Sequence, residues 1–235
     1  MKKIVSFISL ISIATLTGCN GGGGSTFFSD HFSGSLDPNY HKFDERNTDQ
    51  YETVSGRLRI TTHPGEDLWG GSPIKRGAPL LLHTTPSGDY SAESFVELFD
   101  PNTPGESNVA RWNTQAGLFV FKDVKNWLFF GFTFHTNQGG TLPNGNGLIV
   151  TSTIGDVSKI EHYGAFSGPP LSRTIKINKS GNSWRFYVKS GSSWNQVGST
   201  VSASFGTHEV GMGVKSFQSG GVTGRGYFDN FIIRN

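Results

Sequence analysis

The sequence predicts an all-β protein, a two-sheet antiparallel sandwich of jelly-roll type. Three observations predict it. No window sustains the i, i+3, i+4, i+7 apolar spacing of an amphipathic helix. Short segments rich in Phe, Val, Ile, Thr and Trp instead alternate or run apolar for four to eight residues, as strands do. The 32 glycines and frequent Ser-Gly, Asn-Gly and Gly-Gly pairs separate those segments with turns.

The chain opens "MKKIVSFISLISIATLTGCNGGGGST". Lys2 and Lys3 form a positive n-region, and Ile4 to Leu16 has the length of a signal h-region. That run is shorter than the about 20 apolar residues of a transmembrane helix. "LTGC" resembles the lipobox of bacterial lipoproteins, which implies diacylglyceryl attachment to Cys19 and cleavage before it. Two or more acyl chains anchor stably where one binds marginally. Asn20 stands where an aspartate would favour inner-membrane retention, so the expected address is the outer membrane of the cell envelope. Residues 1–18 are thus expected to be a signal peptide, 19–26 a lipidated Gly-rich tether and 27–235 one domain.

Cleavage leaves 217 residues (235 − 18) and removes two lysines, so 18 Lys+Arg balance 18 Asp+Glu. A neutral mature chain gives no electrostatic case for nucleic acid, and the membrane is expected as a partner only through the lipid anchor. The seven histidines show no zinc spacing, and one cysteine allows no internal disulfide. A hydrophobic core must hold the fold.

The strands follow in order. "RLRITT" (57–62) puts Leu58 and Ile60 on one face, and "PLLLHTT" (79–85) starts where a proline is tolerated. "YSAESFVELF" (90–99) points Ala92, Val96 and Leu98 one way. "TQAGLFVFK" (114–122) sends Ala116, Leu118 and Val120 to one face and Phe119 and Phe121 to the other. "WLFFGFTFH" (127–135) is apolar on both faces and reads as a central strand covered on two sides. "TIKINKSGNSWRFYVKSGSSWNQVGS" (174–199) reads as a meander turning at "KSGN" and "SGSS".

That meander resembles the strand, polar-Gly turn and "W.fyyS.dG..W..vg" pattern of concanavalin A-like lectin/glucanase domains. "FFSDHFSGSLDPNYHKF" resembles their opening strand. "KRGAPLLLHTTPSGDYSAESFVEL" and "QAGLFVFKDVKNWLFFGF" resemble the central block, and "VGMGVKSFQSGGVTGRGYFDNFIIR" the closing pair. The pattern is similar to the C-terminal domain of β-xylosidases and to the regulation-of-enolase family. The resemblance implies a concanavalin A-like fold and a carbohydrate-associated setting; a fold alone assigns no chemistry.

Catalysis finds little support. A retaining glycosidase needs two carboxylates about 5–5.5 Å apart. Glu93 and Glu97 share a strand but stand about 13 Å apart at about 3.3 Å per residue. "DERNTDQYE" (44–52) and "GEDLWGG" (65–71) read as turns, and no lyase motif is present. A non-catalytic site for polysaccharide or oligosaccharide is therefore expected. A polysaccharide-degrading enzyme and an adhesion lipoprotein are the alternatives. Trp127, Trp184 and Trp194 read as structural. Trp69 and Trp112 lie in polar loop segments and are the candidate stacking platforms, with Arg76, Arg111 and His135 as polar partners. For those three, a salt bridge or a strand rim is the commoner role. Asp30 and Asp229 sit where related sandwiches hold a structural calcium, an ion that takes six to eight oxygens.

Overall fold

The computed structural model describes residues 24–43, 51–70, 77–99, 114–135, 145–165, 171–216 and 223–235. Among them there is no α-helix. The strands are β1 (Thr26–Asp30), β2 (His41–Phe43), β3 (Tyr51–Val54), β4 (Arg57–Thr62) and β5 (Leu80–Thr84). β6 (Tyr90–Phe99), β7 (Thr114–Asp123), β8 (Asn126–His135), β9 (Gly145–Ile154) and β10 (Val157–Ala165) follow. β11 (Ser172–Ser180), β12 (Ser183–Ser190), β13 (Ser193–Ser202), β14 (Glu209–Ser216) and β15 (Gly224–Arg234) complete the set.

All pairings are antiparallel and close two sheets. One runs β13-β12-β11-β6-β15-β4-β3, with β1 also on β15; the other runs β10-β9-β8-β7-β14-β5-β2. The expected two-sheet jelly-roll sandwich is what forms. β7 shows how the alternation builds it. Ala116, Leu118 and Val120 enter the core between the sheets, beside Val96, Ile175, Phe186, Met212 and Phe228. Phe119 and Phe121 enter a second cluster on the outer face of the 7-stranded sheet, with Leu68, Leu82, Trp127 and Phe129. β8 is buried on both faces, as its doubly apolar sequence requires.

The meander turns at Gly181 and Gly191, both with positive φ, where glycine meets no steric penalty. Trp184 is core: its indole N–H donates to the Ala203 carbonyl at 2.9 Å. Trp194 is not. It lies half-buried on the outer face of the 8-stranded sheet, under the Lys176 ammonium at 4.0 Å. The segment 44–52, expected as turns, contributes Tyr51 and Glu52 to β3, where Glu52 pairs with Arg59.

Candidate functional site

The outer face of the 7-stranded sheet is concave, and a five-residue strap shows it. Ser216 N donates to the Glu66 carbonyl at 2.7 Å, and Gly70 N donates to Ser158 Oγ at 2.6 Å. Through Thr153, Trp127 and Phe121, Ser158 lies in register with Glu209, four strands away from β14 and seven residues along it from Ser216. On a flat sheet those anchors would be about 30 Å apart, from strand spacings of about 4.8 Å and rises of about 3.3 Å. Residues 66–70 extend at most about 14 Å. Only inward curvature lets the strap reach.

Glycines permit that curvature. Gly213, Gly117 and Gly131 stand in one row across β14, β7 and β8. A Cβ on Gly117 would lie 2.6 Å from the Gly131 Cα and closer still to the Phe130 carbonyl oxygen; a Cβ on Gly131 meets the mirror situation.

The strap is held by charge. Lys215, 1% exposed, sends its ammonium across the trough to Asp67 Oδ1 at 3.3 Å. The same ammonium lies 5.0 Å from the Trp127 ring, 5.5 Å from Phe129 and 5.7 Å from Trp69. A lysine taken out of water needs such a partner and such rings. Glu66 is fully buried and accepts from Thr62 Oγ1 at 3.0 Å and His63 N at 2.7 Å. Both acids of "GEDLW" are therefore structural, a role that composition alone did not suggest.

Trp69 comes out half-buried at the trough's flank, neither free in a loop nor interior. On the same flank, Ile160 and Tyr163 of β10 are half-buried beside the second cluster. Burial raises the Tyr163 hydroxyl above its ordinary titration range, and it donates to the Asn146 carbonyl at 3.4 Å. On the same face three buried polar atoms have no hydrogen-bond partner among the described residues: Thr151 Oγ1, Gln115 Oε1 and Trp127 Nε1. Each such atom costs about 1–3 kcal/mol when left dry, so three on one face mark a place where polar groups of a ligand or water gain. No sequence pattern flags Gln115, Thr151 or Lys215; only the register brings them together.

Of the other sequence-predicted residues, Arg76, Arg111 and Trp112 lie outside the described residues. His135 ends β8 with its backbone opposite Gly145, and its side chain also lies outside the description. Asp30 and Asp229 stand on the adjacent strands β1 and β15, where Asp30 opposes Phe231. Each carboxylate turns back on its own chain: Asp30 Oδ1 accepts from Phe32 N and Asp229 Oδ1 from Asn230 N, both at 2.7 Å. Phe32 and Asn230 both have positive φ there. Among the described residues no group of three or more acids, histidines or cysteines could hold a metal. Those two carboxylates are the side-chain oxygens this corner offers, so a calcium ion there would draw the rest of its six to eight oxygens from backbone and water.

No protein-family model matches this chain, and no curated protein matches it. Solved structures do. The GH43 BlXynB protein from Bacillus licheniformis superposes with a TM-score of 0.66 at 18% identity, over 88% of this chain and 39% of that one. A xylan β-1,4-xylosidase from Bacillus halodurans gives 0.63 at 17% identity, over 88% and 39%. A functionally unknown protein from Saccharomyces cerevisiae gives 0.63 at 16% identity, over 83% of this chain and 95% of that one. A β-1,3-glucanase from Mycobacterium marinum gives 0.54 at 12% identity, over 89% and 99%. This chain thus spans about two fifths of the length of the two Bacillus structures. At these identities the likeness is one of fold: the chain is a concanavalin A-like two-sheet jelly roll.

Proposed function

We propose that this protein is an exported, lipid-anchored, non-catalytic carbohydrate-binding protein. The half-open flank of the concave sheet carries the reading: the Trp69 and Tyr163 rings, partly wet, border a buried hydroxyl, an amide oxygen and an indole N–H that lack partners among the described residues. An aromatic wall with a few convergent polar groups is the usual composition of a sugar site. The fold is shared with structures described as a xylan β-1,4-xylosidase and a β-1,3-glucanase, which supports a carbohydrate setting.

The non-catalytic part rests on the carboxylates. Among the described residues, the sheet strands bring to the trough only Glu209, which bonds His41 at 2.9 Å. Glu66 and Asp67 are engaged by their own segment and by Lys215. Each of these described carboxylates is thus already engaged, which argues against their serving as the nucleophile and acid of a glycosidase pair. The anchor is read from Lys2, Lys3, the apolar run and Cys19. The outer membrane is the proposed address.

Affinity electrophoresis on gels containing neutral polysaccharides (xylan, β-glucan, mannan) tests the binding. The protein is expected to be retarded by at least one of them. Trp69→Ala and Tyr163→Ala should each reduce that retardation about tenfold or more in affinity, the scale of one lost stacking contact. Retardation untouched by both changes would contradict the site, and release of reducing ends would contradict the non-catalytic reading.

A further inference from the structure

A second hollow, of about 430 Å³, opens on the opposite side of the sandwich, on the outer face of the 8-stranded sheet. It forms where β15 bulges between Asp229 and Ile232, with Asn230 held at a φ of 53°. A non-glycine residue in that region is strained, and bulges of this kind re-aim side chains. Phe95 and Ile232 give the hollow an apolar floor, and Thr174, Lys189, Glu93 and Asp229 give it polar walls.

The lining holds two carboxylates and one lysine, and the cations lie to one side, towards Trp194. Glu93 is already paired, to Arg234 at 3.3 Å. Among the described residues no carboxylate is bonded to Lys176, opposite Glu93 on β11, or to Lys189 on β12. Both ammonium groups instead gather at the Trp194 ring, at 4.0 Å and 5.8 Å from its centroid, with Tyr187 at 5.3 Å from Lys176. Desolvation, and the nearness of Arg234 and Lys189, lower the Lys176 pKa against the pull of Glu93. Asp229 borders the far side, its Oδ1 already accepting from Asn230 N. The lysine side is therefore a local concentration of positive charge, with Lys189 at the wall of the hollow and Lys176 beside it.

We propose that this hollow binds a carboxylate-bearing pyranose, a uronate unit of an acidic glycan. Its ring would lie on Phe95 and Ile232, and its carboxylate would meet Lys189 at the wall, with Lys176 next to it. A carboxylate is the group that two unpaired ammoniums beside an apolar floor complement best. This site extends the glycan reading to a second face and does not depend on Trp69.

The test uses the full chain and a galacturonate trimer, followed by calorimetry and tryptophan fluorescence at low and high salt. The carboxyl-reduced neutral trimer is the control. The acidic trimer should bind and quench Trp194, weaken with salt, and bind at least about tenfold more tightly than the neutral one. Lys189→Ala and Lys176→Ala should each lower affinity about tenfold with an unchanged circular dichroism spectrum, whereas Lys189→Arg should retain most of it. Trp69→Ala should leave it unchanged. Equal binding of the neutral trimer, no binding, or insensitivity to both alanine changes would overturn the proposal. So would loss of acidic-trimer binding in Trp69→Ala, because the ligand would then sit in the concave trough.

Discussion

Lys215 shows what a single side chain does in this molecule. Placed one residue after Val214 on β14, it faces the trough while Val214 faces the core. Its partner Asp67 lies 148 residues earlier, and both are nearly fully buried. Removing one partner strands the other charge in a dry setting, which costs about 3–5 kcal/mol. Lys215→Met is therefore expected to destabilise the fold by that order in urea unfolding. Combining it with Asp67→Asn should recover part of the loss, because no naked charge then remains. If the double variant were as unstable as the sum of the two single ones, the pair would not be coupled. Neither residue is legible as a site from sequence: a lysine in "GVKSF" and an aspartate in "GEDLW" both read as surface charges, and only the fold makes them neighbours.

At the scale of elements, the strands were written in the sequence and the strap was not. β4 and β6 occupy the segments their alternation predicts, and β5, β7 and β8 differ from them by a residue at an end or two. β8 is covered on both faces because it carries aromatic residues on both. Alternation reports which side of a sheet a residue faces, so it recovers strands and cores. It cannot report that "GEDLWG" is drawn across five strands, because its anchors are a backbone amide of Ser216 and the Ser158 hydroxyl. The same gap explains Trp69, read as an open loop indole and found half-buried. The glycine row is the element that makes the strap possible. Gly131→Ala should cost about 1–3 kcal/mol, the range for overpacking a tight contact, and should loosen amide exchange in β7 and β8. An unchanged Tm would mean that the two strands can separate freely there.

The whole molecule has a direction. β1 starts at Thr26, Phe27 packs on His83, and Ser25 accepts a bond from the last residue, Asn235. His83 and Glu209 belong to the end of the sandwich that carries the β7–β8 and β9–β10 turns. The strand termini Thr114, His135, Gly145 and Ser216 lie at the other end. A short tether from an acylated Cys19 would hold the first end at the membrane and direct the second away from it. Cys19→Ala is expected to abolish incorporation of labelled fatty acid and to move the protein from the detergent phase to the aqueous phase. Equal labelling of the variant would remove the anchor from the account.

The central claim, that sugar meets the concave flank, is tested most directly by the five tryptophan indole N–H signals in a nitrogen-15 correlation spectrum. On titration with a neutral oligosaccharide from the polysaccharide that retards the protein, the Trp69 and Trp127 signals should shift together and saturably, while Trp184 and Trp194 stay fixed. Saturable binding that leaves Trp69 and Trp127 unmoved would contradict it.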